Sequence, residues 1–227
     1  MRILFEDNHV LVAVKPPMVP TQADASGDAD MLGMVREYLR ETYHKPGNVY
    51  VGLLHRLDRP VGGVMVFAKT SKAASRLSRQ IREGGMQKEY LAVVHGLPPA
   101  EGRMEDFLLK DGTKNRVKVV HEGIPGAKWA ALSFRREAVR RDRSLVRVFL
   151  ETGRPHQIRV QFASRGYPLL GDMRYGRGEG GGIALYSAGI GFAHPVSGER
   201  LFFASLPHGG FFREFSENAP ETESLFL

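Results

Sequence analysis

Between Lys88 and Leu150 the chain has apolar stretches but almost no helical spacing, and this limits its fold more than any other feature. Lys88–His95, Arg116–Val120, Lys128–Val139 and Ser144–Leu150 each read as extended, with Gly, Pro or charged turns between them. Earlier, Val10–Val14 reads as a strand that Lys15-Pro16-Pro17 must end, and Val64–Lys69 is a short β-rich run. Two more strands are expected near Ile183–Phe192 and Leu201–Ala204. Met31, Met34, Val35, Tyr38 and Leu39 keep the spacing of an amphipathic helix, with Asp30 placed to cap it. A second helix spans Ser71–Glu83, carrying Ala74, Leu77 and Ile81 on one face, with Gly84 as its C-terminal glycine. A third starts at Pro155 and stops before Gly166. Neighbouring strands with few helices predict an α+β fold, a largely antiparallel mixed sheet flanked by helices. With no fixed-period repeat and no low-complexity linker, residues 1–215 are expected to form one domain, followed by an acidic tail over 216–227.

The 227 residues are 42% hydrophobic, so the chain can bury a core without staples, and the absence of cysteine excludes a disulfide scaffold, thiol catalysis and Cys-ligated zinc. Apolar runs such as Val10–Val14 and Val64–Ala68 are far shorter than a membrane helix. The opening MRILFEDNHV places acid where a signal peptide would be apolar. The expectation is a soluble, cytoplasmic protein with no membrane partner. A net charge of +7 suits a polyanionic partner. Six arginines lie within the 13 residues from Arg135 to Arg147, against Glu137 and Asp142. They read equally well as a solvated strand pair or as contacts to nucleic-acid phosphates.

Several chemistries have no anchor. There is no GxxxxGK[ST], and the Gly176–Gly182 stretch lacks the strand and helix that a dinucleotide fingerprint requires. No HExxH occurs among the eight histidines, and no GxSxG marks a serine hydrolase. Neither a metal nor a nucleotide cofactor is expected.

Three segments carry chemistry. Leu54–Gly63 places Asp58 beside Arg56 and Arg59 in a turn before the Val64–Ala68 strand, with Gly62 and Gly63 permitting a close backbone approach. Arginine neighbours favour an ionised Asp58, the form a nucleophile requires, although a turn aspartate beside arginines is more often a salt bridge or cap. Glu151–Val160 places Arg159 one turn into the third helix, where its guanidinium can point inward to a buried carboxylate; alternatively, Arg154 and Arg159 decorate a surface helix. Met86–Ala92 opens a strand with Tyr90, a residue that is most often core packing.

In this order, HRLDRPVGGVMVFAKT, QKEYLAVVHG and ETGRPHQIRV…GYPLLGDMRYG resemble the sequence blocks of the RluA-type pseudouridine synthases, and ILFEDNHVLVAVKPP resembles that family's first strand and turn. The likeness runs from about Ile3 to Phe215. It implies the synthase catalytic fold with a central RNA-binding cleft. The implied reaction cuts the N1–C1′ bond of a uridine within structured ribosomal or transfer RNA and rejoins the base through C5, without cofactor or metal. By the same likeness the catalytic residues are Asp58, Tyr90 and Arg159, with Arg159 pairing Asp58 and Tyr90 stacking on the flipped uracil. Arg56, His55, Arg154 and Gln157 are the expected substrate-binding residues. The partner is RNA and the family prior is a monomer.

Pro155 and Gln161 stand where the family often has Thr and His, which bears on substrate contacts more than on chemistry. Leu185-Tyr186-Ser187 replaces the usual leucine–histidine–alanine. An N-terminal RNA-binding module of the S4 type is not expected before Ile3, so substrate selection is expected from the catalytic surface or a partner. Two other readings compete. One is a non-catalytic RNA-binding protein or assembly factor, for which the Asp58, Tyr90 and Arg159 trio would be unnecessary. The other is a hydrolytic glycosidase, which normally needs two cooperating carboxylates.

Overall fold

The structure, a computed structural model, describes residues 1–44, 46–113 and 115–216. The expected tail from Glu217 onward lies outside the described residues. The chain divides into two compact units, one formed by Met1–Lys88 with Ser187–Leu206, the other by Glu89–Tyr186 with the segment from Pro207. No described helix is long and apolar enough to cross a membrane.

In the first unit, β1 (Arg2–Glu6), β2 (Val10–Lys15) and β4 (Gly62–Ala68) lie side by side, each pair antiparallel. The short β3 (Gly52–Leu53) also pairs with β4. β10 (Leu185–Ala193) follows β4 in the sheet and pairs antiparallel with β11 (Arg200–Ala204). β4 is buried at every position, as its unbroken apolar run requires. α1 (Met31–Thr42) begins where predicted, with the Asp30 carboxylate accepting the Gly33 N–H at 3.1 Å. α2 (Ser71–Arg82) is capped by Thr70, which accepts the Ala73 N–H at 3.2 Å. It ends at Gly84, whose φ of 73° suits a residue without a Cβ. Ala73 and Leu77 of α2 pack into a core with Val10, Val12, Val64, Val66, Ile190 and Phe192. Gln80 fastens α2 to the end of β10, donating to the Ala193 carbonyl at 2.7 Å and accepting its N–H at 2.9 Å.

The second unit holds β5 (Gln87–His95, from Glu89), β6 (Glu101–Asp111), β7 (Arg116–Val120), β8 (Lys128–Arg140) and β9 (Arg143–Leu150). They pair antiparallel in the order β5-β9-β8-β6-β7. α3 (Gln157–Ser164) covers part of this sheet, with Val160 packed on Leu108, Val117 and Ala130. Phe162 meets Phe134 edge to face, ring centroids 5.3 Å apart. α3 starts two residues later than predicted. His156 has φ 52°, a left-handed conformation that a helix cannot run through, so Pro155 lies outside it. A 3₁₀ turn (Gly210–Phe212) and α4 (Arg213–Ser216) close the described chain.

The α+β class with a largely antiparallel sheet holds. β6 was not anticipated, and the reason is its pattern. The apolar Met104, Phe107 and Leu108 fall at i, i+3 and i+4, a helical spacing. The glycine pair fulfils its expectation. A Cβ at Gly63 would lie 2.2 Å from the Ser187 carbonyl oxygen, and its φ of 124° is one that L side chains rarely adopt. Gly63→Ala should therefore cost about 3 kcal/mol or more. Gly84→Ala, which meets open space, should cost about 1–2 kcal/mol. Urea unfolding of the two variants checks the difference.

Candidate active site

Asp58 stands in the first unit on a turn whose backbone is fixed at three consecutive residues. Leu57 exchanges two hydrogen bonds with the buried Thr21, donating its N–H at 3.2 Å and accepting the hydroxyl at 2.8 Å. The Asp58 carbonyl accepts the Val61 N–H at 2.9 Å. The Arg59 carbonyl accepts from Lys15 Nζ at 3.1 Å. Lys15, at the end of β2, is fully buried and also donates to the carbonyls of Pro16 at 3.0 Å and Val19 at 2.5 Å. Burial pushes its ammonium down to about 8, and the charge of Asp58 acts in the opposite sense. At neutral pH it remains a cation inside the loop that presents Asp58. Sequence reading passed over Lys15 as the residue that ends a strand. Its one available signal was a lysine closing an otherwise apolar run.

The arginines beside Asp58 divide. Arg56 is exposed. Arg59 turns to the 18–28 loop, donating to the Met18 carbonyl at 3.2 Å and to Ser26 Oγ at 3.0 Å, and pairing with Asp28. Its side chain therefore fixes the turn from outside. His55 serves the fold directly, its Nε2 accepting the Val66 N–H at 3.2 Å. The ring must then be neutral with the proton on Nδ1. Burial, helped by the charge of Lys88, holds its pKa down to about 3.

Tyr90 and Arg159 belong to the second unit. Tyr90 lies buried on β5 opposite Val148 of β9. Arg159 is 7% exposed, so its fork does point inward. It holds the Asp172 carboxylate in a two-point grip, Nε to Oδ2 and Nη2 to Oδ1, both at 2.8 Å. Asp172 also accepts the N–H groups of Arg174 at 2.9 Å and Tyr175 at 3.1 Å. Burial raises the Asp172 carboxyl, but these donors outweigh it and keep the group below the usual range. The Arg159 guanidinium also lies 5.2 Å from the Tyr175 ring centroid. The Tyr175 hydroxyl accepts the Val117 N–H at 2.7 Å and meets His156 Nδ1 at 2.8 Å. Asp172 and Tyr175 fall within the GDMRYG block, yet no local pattern shows that they clasp a helix residue 13 positions earlier.

Gln157 is 3% exposed, with its oxygen accepting from Thr152 Oγ1 and the Arg154 N–H, and its amide donating to the Ala131 carbonyl. These bonds close the 152–157 turn. Arg154 is half-buried and donates to the Trp129 carbonyl at 2.9 Å. The arginine run forms the β8–β9 hairpin, and Glu137, the extra residue of a β-bulge, reaches Arg147 at 2.9 Å and Arg135 at 3.0 Å. Arg147 also meets Glu89 at 3.2 Å, Arg143 meets Glu214 at 3.2 Å, and Arg136 donates to the Pro98 carbonyl at 2.7 Å. Arg135, Arg143 and Arg147 are thus paired with the chain's own acids, while Arg136 and Arg140 donate to neutral carbonyls.

Two measurements check this site. His55 is held neutral, so the unfolded chain takes up a proton below about pH 6.5 that the folded chain refuses down to about 3. Stability is full above 6.5 and falls as pH falls, by about 1.4 kcal/mol per unit. Between pH 6.5 and 5 this slope should shrink in His55→Asn, read by urea unfolding. Asp172→Asn leaves the buried Arg159 without its counter-charge and should cost about 3 kcal/mol.

Comparison with known proteins identifies the scaffold. The family model described as RNA pseudouridylate synthase matches residues 9–164. Ribosomal large subunit pseudouridine synthase C of Buchnera aphidicola (subsp. Acyrthosiphon pisum) is 33% identical over 215 residues, covering 88% of this chain and 65% of that protein. Ribosomal large subunit pseudouridine synthase D of Zymomonas mobilis is 33% identical over 221 residues, covering 91% and 69%. The chain thus spans about two thirds of these relatives' length. Human RNA pseudouridylate synthase domain containing 4 has the same fold, with a TM-score of 0.76 at 20% identity, covering 91% of this chain and 89% of that one. The aspartate turn and the whole of the arginine helix lie inside the matched span, and the chain belongs to the RNA pseudouridylate synthase family.

Proposed function

We propose that this chain converts specific uridines in structured ribosomal or transfer RNA to pseudouridine, as a monomer in the cytoplasm, with residues 1–215 acting as one catalytic domain and RNA lying in a central cleft. The observation that carries the reading is the immobilised Asp58 turn, fixed at residues 57, 58 and 59 by Thr21, Val61 and Lys15. Positioning of this kind lowers a barrier because the reacting group need not be ordered at the moment of reaction.

A uridine stacked in RNA is out of reach, and extruding it costs a few kcal/mol. Arg56, exposed beside the turn, offsets part of that cost by occupying the vacated place. Tyr90 stacks on the extruded uracil. Arg159, held in orientation by Asp172, pairs with Asp58 and keeps the carboxylate ionised and aimed at the ribose. His55 supports the turn from behind through Val66. The N1–C1′ bond breaks, the base turns, C5 bonds to C1′, and the proton leaves C5 while N1 gains one, so no cofactor is needed for balance. Direct attack on C1′, attack on the base and removal of the C2′ proton all start from the Asp58 carboxylate.

The alternative, a non-catalytic RNA-binding protein on the same scaffold, does not require that carboxylate. Pseudouridine mapping across cellular RNA, with the protein present, deleted or replaced by Asp58→Asn, separates the two. The same one or few sites should vanish in the deletion and in Asp58→Asn. Marks left intact by Asp58→Asn would favour the binding protein.

A further inference from the structure

Three of the β8–β9 arginines, Arg135, Arg143 and Arg147, are paired with acids, and two cations held only by neutral groups lie elsewhere in the second unit. Arg116 opens β7, and Arg174 follows Asp172 in the next segment; the two are laced together. Arg116 donates to the Arg174 carbonyl and Arg174 donates to the Asn115 carbonyl. Asn115 has φ 44°, the left-handed turn conformation in which asparagine is well tolerated. The Arg116 guanidinium lies 5.7 Å from the centroid of the Tyr175 ring, the same ring that carries Arg159 at 5.2 Å. Among the described residues neither Arg116 nor Arg174 forms a salt bridge with a carboxylate. Each guanidinium has five N–H donors, and these carbonyl contacts engage only a fraction of them. Between them in sequence, and next to Arg174, Met173 is 76% exposed, the most solvent-open large apolar side chain of the described residues.

We propose that Arg116 and Arg174 form a ledge that binds the phosphodiester backbone of the substrate RNA, with Met173 available to the adjoining ribose or base. This rests on the pseudouridine synthase reading and assigns its RNA a docking surface. Two guanidiniums already held in place by backbone carbonyls lose little freedom on meeting phosphate. A cation paired only with neutral groups also gives up no ion pair to do so, unlike Arg135, Arg143 or Arg147. The Tyr175 ring joins the ledge to Arg159, so phosphate binding takes place one aromatic ring away from the guanidinium assigned to Asp58.

The test uses the full chain and a fluorescein-labelled oligouridylate, with affinity measured across a potassium chloride series. Each single-strand phosphate contact contributes about 0.7 to the slope of log affinity against log salt, so Arg116→Gln/Arg174→Gln should flatten that slope by about 1.4. On cellular RNA from the deletion strain its KM should rise with kcat nearly unchanged. Lys72→Gln/Arg82→Gln removes the same charge from exposed positions on α2 and should leave the slope unaltered. Arg174→Gln alone, which gives up only the Asn115 contact, should show half the effect and serves if the double variant folds poorly. An unchanged slope in the ledge variants, or an equal loss in the α2 pair, overturns the ledge. Failure of the unaltered protein to bind the oligouridylate in a salt-dependent way and to form pseudouridine would instead overturn the functional reading itself.

Discussion

An ammonium removed from water must be surrounded by acceptors, and Lys15 imposes that demand on the whole front of the first unit. The carbonyls that meet it come from Pro16, Val19 and Arg59, so the loop after β2 and the turn carrying Asp58 are drawn to one point. β2 is itself anchored between β1 and β4 by continuous antiparallel pairing. The position of the candidate catalytic carboxylate therefore traces back to a strand buried for purely apolar reasons. The charge of Asp58 also favours the Lys15 ammonium, so turn and cation support each other.

The second unit solves the same problem with arginine. Arg159 is taken out of water and held by the two-point grip of Asp172 and by the Tyr175 ring. Arg147, more deeply buried still, is held by Glu89 and by a glutamate that a bulge places between two strands. Buried cations of this kind contribute little net stability once desolvation is counted, yet each fixes one geometry, because losing a partner leaves an uncompensated charge. A site that must present charged groups at fixed positions is well served by this arrangement.

How much of this was legible depended on the range of the interaction. Helix caps are local, and Asp30 and Gly84 were readable from a few neighbouring residues. Strands β5, β7, β8 and β9 were readable because their apolar content and turn residues alternate along the chain. β6 was not, since Met104, Phe107 and Leu108 mimic a helical spacing and only pairing on both its edges makes it a strand. Asp58, Tyr90 and Arg159 were picked out by motif, whereas Lys15 and Asp172 gained their meaning only when distant segments met. The bonds of Gln157 to Thr152 and Ala131 were likewise invisible in its motif.

The approach of Ser187 to Gly63 has a consequence for the birth of the molecule. The first unit is discontinuous, and its share beyond Lys88 resumes only at Ser187. A ribosome delivers β4 long before it delivers the strand that lies along it. Throughout that interval the glycine notch and the neighbouring backbone of β4 stand open, with polar groups seeking a partner and valines on either side. Such an edge invites pairing with any other nascent strand. The chain's synthesis is therefore expected to depend on keeping that edge shielded until β10 has emerged.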